Sequence, residues 1–452
     1  MKKIELLAPA GDLEKLKYAL AFGADAVYCG VPDFSLRVRI NRFSKEDLAE
    51  AVEYVHKRKK KIYVTLNIYA HNQHLAKIKE HIQYLKKLKV DAIIASDPGI
   101  ILFIQKYWPE CEIHLSTQAN ATNSAAVEFW RAQGVKRIIL AREVTLKEIK
   151  EISQQSKNIE LEYFVHGAMC MSYSGRCILS KWMTDRSANL GDCSQPCRWA
   201  YHSKNQKSKI KKQNFGDDYF EMNVIDDQKR YAMDVEEDTH GTYFFNSYDM
   251  NLLAHLSELR EAGVASFKIE GRAKSAYYLA IVTRAYRAVL DALENDAPEK
   301  EIKAIIKKQK TELDNLVHRG YSTGFLLGRE PEHNFENKNN PAKFQFVGEV
   351  KSLEDKLNIL RVHNHISIED SLEAITPKEN IKLKIKKILD NNKNAVLVAD
   401  GGHNKEYYFE FDRKLESGSL VRKVIQRVIP AEAGIQAPQV IKKEKRDLMI
   451  RK

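Results

Sequence analysis

Four of the six cysteines in this 452-residue chain fall between Cys170 and Cys197, spaced C-x6-C-x15-C-x3-C as Cys170, Cys177, Cys193 and Cys197. Six cysteines over this length are too sparse for a disulfide scaffold, and clustered thiols are more often metal ligands or redox groups. A structural zinc site prefers C-x2–4-C knuckles, and the first pair here is too widely spaced for one. An iron–sulfur cluster needs only four thiolates brought together from loops, so it is the leading expectation, ahead of zinc and of no metal. Cys29 and Cys111 lie on or beside strands, where a buried thiol is the ordinary outcome. Cys29 ends its strand and is the reserve ligand. His166 lies four residues before Cys170, so a Cys–His nucleophile pair can be drawn, but it would leave three neighbouring cysteines unexplained. No HExxH, G-x-S-x-G or P-loop pattern occurs.

The elements that must position these residues alternate. Short apolar runs at Ile4–Ala8, Ala26–Cys29, Lys61–Leu66, Ala92–Ala95, Glu112–Leu115, Arg137–Leu140, Leu161–Val165 and Ser266–Ile269 read as strands. Helix-period segments at 13–22, 45–56, 73–88, 99–106, 123–133, 146–153, 251–262 and 275–293 separate or follow them. Buried strands alternating with helices mean a parallel sheet, and eight such units favour a (β/α)8 TIM-like barrel over an open sheet. In that fold chemistry sits just past the C-terminal ends of the strands. Those positions hold Asp12, Gly30, Asn67, Ser96-Asp97, Ser116-Thr117-Gln118, Arg142-Glu143, His166-Gly167 and Glu270-Gly271-Arg272. Some of these, Asp12 and Asp97 first, are expected to be helix caps.

Barrel and insertion together span 1–295. The cysteines belong to the insertion, 168–249, after strand seven, and its polar stretch Ser203–Asp238 reads as an extended loop or small subdomain. A helical connector covers 296–341. Short strand-like runs over 342–428 predict a small all-β, barrel-like domain. Residues 429–452 read as a disordered basic tail. The net charge of +12 favours an anionic partner, nucleic acid first, with local excess at Lys57–Lys61, Lys204–Lys212 and Lys442–Lys452. No run reaches the ~18 apolar residues of a membrane helix, and charge appears by Glu5, so a cytoplasmic protein without a membrane partner is expected.

The stretch Glu162-Tyr-Phe-Val-His-Gly-Ala-Met-Cys170-Met-Ser-Tyr-Ser-Gly-Arg-Cys177-Ile-Leu-Ser180 closely resembles the signature of the collagenase-like peptidase family U-32. Leu7–Asp12, Gly23–Gly30, Ser116–Asn120, Gly191–Arg198 and Lys268–Arg272 fit it as well. The resemblance runs from about Lys2 to Leu290, and the later β domain resembles the family's C-terminal module. It implies more than peptidase chemistry. The similar members are implicated in making 5-hydroxyuridine at the tRNA wobble position, with prephenate required and the Fe–S assembly machinery involved. Relatives hydroxylate ribosomal RNA or a ubiquinone precursor, and several carry a 4Fe–4S cluster on four cysteines. Carried over, the ligands would be Cys170, Cys177, Cys193 and Cys197.

On that footing the rim residues acquire expected roles. Arg142, Lys268 and Arg272 would grip the carboxylates of a dianionic co-substrate, since Arg offers bidentate geometry. The competing expectation is that Arg272 pairs with Glu270 or Glu143 structurally. His166 and Glu162 would move protons or simply order the insertion. Asn67, Gln118 and Asn120 would read a pyrimidine edge or satisfy loop backbones, and Glu270 is a further substrate-binding candidate. An anticodon loop presents unstacked bases for aromatics such as Tyr173, Trp182 and Trp199, for which packing of the insertion is the competing role. Two alternatives stay open: a metal- or thiol-dependent peptidase, and a non-catalytic Fe–S or RNA-binding accessory protein.

Overall fold

The computed structural model describes residues 3–31, 43–328 with breaks between 171 and 246, and 342–425 apart from 356 and 403–404. The Lys204–Lys212 and Lys442–Lys452 runs, Trp199, the Trp182 side chain and the tail lie outside the described residues.

Eight parallel strands close on themselves. They are β1 (Glu5–Pro9), β2 (Ala26–Gly30), β3 (Lys61–Thr65), β4 (Ala92–Ala95), β5 (Ile113–Leu115), β6 (Arg137–Ile139), β7 (Glu160–Ala168) and β8 (Val264–Ile269). Each pairs with the next, and β8 pairs with both β7 and β1, which closes the barrel. The (β/α)8 expectation holds strand for strand.

Most outer helices start at a side-chain cap, though that at Leu75–Leu88 does not. In α1 (Leu13–Ala21) Asp12 accepts the Lys15 N–H, and in α2 (Lys45–Lys57) Ser44 and Asp47 form a capping box. Helices α3 (Leu75–Leu88), α4 (Pro98–Tyr107), α5 (Ser124–Ala132) and α6 (Leu146–Gln155) follow, α4 with Pro98 in its first turn and Asp97 as cap. Asp12 and Asp97 are therefore helix caps, as expected of them. The longest helix, α7 (Ala276–Glu294), buries Tyr277, Tyr278, Tyr286 and most of its apolar residues against β1 and α1.

The polar insertion contains an antiparallel sheet of strands Tyr201–Ser203, Phe220–Asp226, Ala232–Asp238 and Gly241–Thr242, the small subdomain rather than the extended loop of the two alternatives. Two features depart from the sequence reading. The strand Asp249–Asn251 returns antiparallel to β7, and Tyr321–Ser322 pairs with it, so the connector is partly sheet. It also carries α8 (Glu299–Asp314). The C-terminal unit has eight sheet-forming strands in one antiparallel order; Asn380–Leu383, Ile385–Leu389 and Leu420–Val424 carry lysine or arginine among their apolar residues, which hides them as apolar runs in the sequence. The end strands of that order do not pair with each other among the described residues. The unit docks on the barrel through the Tyr18 hydroxyl, which donates to Glu349 at 2.7 Å, and through Arg422, which donates to the Tyr277 hydroxyl of α7 at 3.3 Å and pairs with Glu312 of α8. No helix among the described residues is long and apolar enough to cross a membrane.

Candidate active site at the barrel mouth

Side chains on alternate strand positions point into the barrel. In this chain several of those positions are charged. At the lower level Arg137 of β6 bonds Glu5 of β1, Glu160 at 2.7 Å and Glu162 of β7 at 3.2 Å. Lys268 of β8 donates to the other oxygen of Glu162 at 2.7 Å. Tyr63 and Ser266 complete the shell of Glu5 at 2.6 and 2.9 Å. Glu162 is fully buried; burial opposes its ionisation, but Lys268 and Arg137 outweigh it and hold the carboxyl below the usual range. Burial draws the Lys268 ammonium down, against the pull of Glu162. Glu162 thus belongs to a structural ion network.

Above it lies the mouth. Lys268 stands 4.3 Å from the Tyr28 ring centroid, and Arg142 4.1 Å from that of Phe164. Arg142 and Glu270 make a long ion pair of 3.8 Å, while the Arg142 Nε is buried without a hydrogen-bond partner. Arg272 donates to the Thr65 hydroxyl at 3.1 Å. Its backbone passes so close to Gly11 that a Cβ there would meet the Arg272 carbonyl at 2.3 Å. Gly167, at φ +110°, likewise admits the Glu270 carbonyl, which a Cβ would meet at 2.5 Å.

The amide residues share one side of this mouth. Asn67 donates to the Gln118 side-chain oxygen at 3.0 Å. Asn120 takes a left-handed backbone, φ +54°, and its Oδ1 is buried without a partner. The Gln118 carbonyl accepts from the Tyr69 hydroxyl at 2.8 Å and from Arg176 Nε at 2.9 Å. Arg176 also bonds the Tyr69 oxygen at 2.9 Å. Arg176 directly precedes Cys177, so this contact ties the cysteine insertion to the rim. The sequence reading missed it, although an arginine beside a candidate ligand was a visible signal.

His166 is not brought to this group. It is wholly buried, its Nδ1 lies 3.2 Å from the Tyr286 hydroxyl, and the rings of Tyr278, Tyr286 and Tyr321 surround it. Burial pushes its pKa down to about 3, so it stays neutral. Cys29 is sealed too, and burial lifts its thiol to about 12 despite nearby Arg272; that suits a core residue better than a ligand.

Cys170, Cys177, Cys193 and Cys197 are all half-buried, and no disulfide links them. The Gln195 N–H donates to the Cys193 sulfur at 3.4 Å, a contact that also suits a metal-bound thiolate. Among the described residues no three Cys, His, Asp or Glu side chains are gathered as they would be around one ion. The donor set fits an iron–sulfur cluster in chemistry and access; the sulfurs as placed do not share a centre. Tyr173, in the same segment, is 55% exposed beside the mouth and open to stacking.

A closed parallel barrel whose inward cations, amides and an attached cysteine segment meet at the strand C-termini defines an enzyme-type TIM barrel. The chain belongs to peptidase family U32: that family's model matches residues 11–336, and the model of the family's C-terminal domain matches 342–422. It is 39% identical to the tRNA hydroxylation protein P of Haemophilus influenzae, over 94% of this chain and 97% of that one. It is 35% identical to a 23S rRNA 5-hydroxycytidine synthase of Escherichia coli, over 72% of this chain and 46% of that one. It is 30% identical to a collagenase of Porphyromonas gingivalis, over 72% of this chain and 74% of that one.

Proposed function

We propose that the chain is an RNA hydroxylase that converts the wobble uridine of tRNA to 5-hydroxyuridine, with prephenate as co-substrate and a 4Fe–4S cluster on Cys170, Cys177, Cys193 and Cys197. The observation that carries this reading is the Arg176 contact, which sets the cysteine segment against the rim bearing Asn67 and Gln118. Relatives named for tRNA and rRNA hydroxylation support the substrate class.

Oxidising C5 of a uracil is beyond side chains alone, and a bound cluster would supply the redox capacity. The chain's own residues prepare the reactants. Arg142 brings an unused N–H donor into the mouth and Arg272 adds positive charge, a fit for the carboxylates of prephenate, while Lys268, its ammonium bonded to Glu162, adds charge only from the floor beneath. Glu270 orients Arg142 through their ion pair. The Asn120 Oδ1 is an open acceptor suited to a pyrimidine N–H. Tyr173 offers a face on which an unstacked base can rest. His166 and Glu162 have no part in proton transfer here, since both are sealed in structural contacts.

The peptidase reading has the collagenase relative behind it, but its thiol-dependent form needs a basic His166 turned toward a thiol, and this histidine faces tyrosines. Nucleoside mass spectrometry of a deletion strain, with any parallel pathway removed, should show loss of 5-hydroxyuridine; persistence of the nucleoside would overturn the proposal. Anaerobically purified protein should carry about four iron and four sulfide per chain.

A further inference from the structure

The end of the barrel opposite the mouth holds the helix-to-strand turns. Six of them, among the described residues, place one residue in the left-handed region: Gly23 (φ +108°), Lys59 (+54°), Lys89 (+58°), Gly134 (+81°), Asn158 (+62°) and Gly263 (+94°). Glycine enters this conformation without penalty and asparagine tolerates it; lysine does neither. At Gly23 and Gly263 a Cβ would approach Arg287 Cγ to 2.5 Å and Ser153 Oγ to 2.0 Å, so only glycine fits. Backbone geometry gives no reason for lysine at 59 and 89. What it adds there is a charged side chain.

The two lysine turns are neighbours, because β3 and β4 are hydrogen-bonded side by side. Each lies in a wider cationic run, Lys57–Lys61 and Lys86–Lys89. Nearby acids are already engaged: Glu53 with Lys57 at 2.5 Å, Asp25 with Lys60 at 3.0 Å, Glu110 with Lys86 at 3.4 Å. Lys59, Lys87 and Lys89 are exposed and enter no ion pair among the described residues. Helix α3 continues the charge toward the mouth through Lys79, with Glu80 its one acid. Its fourteen residues span about 21 Å. Aromatic rings alternate with these cations: Arg58 lies 3.5 Å over Tyr54, and Lys79 5.0 Å over Tyr107.

We infer that this strip, from the Lys59 and Lys89 turns up α3 to the rim, receives the phosphate backbone of the RNA whose target base enters the mouth. The inference rests on the reading above that the substrate is RNA. A stem must leave the mouth along the barrel wall once its loop is inside, and this wall is basic, interleaved with aromatic rings and largely unneutralised. An acidic protein or an anionic membrane would meet the same charge; neither explains a strip whose upper end, through α3, reaches the mouth.

The test uses the full chain and a full-length unmodified tRNA transcript, with binding followed by fluorescence anisotropy between about 50 and 200 mM salt. Lys59→Gly/Lys89→Gly should weaken binding about tenfold at the middle of that range and lower the log–log salt slope by about two, roughly one for each phosphate left without its lysine. The melting temperature should hold or rise, because glycine relieves the left-handed turns. Lys307→Ser/Lys308→Ser, which removes equal charge from α8, should leave the slope near wild type. An unchanged slope in the turn variant, an equal loss in the α8 variant, or a fall in melting temperature that accounts for the weaker binding would each overturn the strip. Should 5-hydroxyuridine disappear on gene deletion while the turn variant binds normally, the strip fails and the hydroxylase reading stands. Should the salt effects appear while 5-hydroxyuridine persists, the reverse holds.

Discussion

Two levels of the same cylinder carry the same kinds of residue in opposite conditions. On the floor, Glu5, Arg137, Glu162 and Lys268 answer one another atom for atom, with Tyr63 and Ser266 filling what remains. At the mouth, Arg142 keeps a buried N–H and Asn120 a buried oxygen without partners. Leaving such a group unmet costs about 1–3 kcal/mol, which a ligand entering the mouth can recover. Buried atoms are left unmet elsewhere too, the Nδ1 of His114 beside Tyr63 of the floor among them. Neither residue type nor an unmatched atom alone therefore separates scaffold from site in this barrel; an unmatched atom that a ligand can reach does.

The largest test of that contrast is on the floor. Arg137→Met removes the one cation shared by three carboxylates, leaving Glu5 in the interior without a cation and Glu162 with Lys268 alone. Breaking a buried pair from one side costs about 3–5 kcal/mol. Urea unfolding should show a loss of that order, and a variant as stable as wild type would mean that the floor is not what holds the barrel's charge.

His166 sharpens the comparison, since its Nε2 also lacks a partner while its surroundings are closed. Its pKa falls from the ordinary 6.5 to about 3 on folding. The unfolded chain then binds the extra proton between those values, so the histidine's contribution to stability is complete above pH 6.5 and is lost as pH drops toward 3. The loss is on the order of a few kcal/mol. His166→Phe should flatten that part of the stability–pH curve. If His166→Gln instead shifts an activity profile near neutral pH, the histidine is a site residue after all and access is not the criterion.

Arg142 comes next in size. Arg142→Met should cost less in unfolding than Arg137→Met, because its one ion pair is long and its Nε unmatched. Calorimetric affinity for prephenate should drop about tenfold or more, roughly 1.4 kcal/mol. Equal affinity would show that the unspent donor has no ligand of this kind.

Much of this was legible in the sequence, and the exceptions have a common cause. All eight strands follow from their apolar runs, and Asp12 and Asp97 from capping chemistry. The floor network did not: Glu5, Arg137 and Lys268 sit inside runs otherwise apolar, and only the closed barrel reveals that their strands face one another. His166 ends a strand like the true rim residues, yet the strand Asp249–Asn251, far later in the chain, pairs across it, and Tyr321 beyond that comes against its ring. Long-range pairing decided both, and local pattern carries no record of it.

The smallest effect concerns how the cysteine segment is joined to the mouth. Arg176 meets the Tyr69 hydroxyl and the Gln118 carbonyl at 2.9 Å each, and the Tyr69 hydroxyl meets that same carbonyl. Three groups in one knot do not contribute independently. Arg176→Lys and Tyr69→Phe should each lower uridine hydroxylation several-fold with stability changes near ~0.5 kcal/mol, and the double variant should be little worse than either, a coupling of about 1 kcal/mol. Strictly additive effects would detach the cysteine segment from the rim in function, and with it the ground for setting redox chemistry at this mouth.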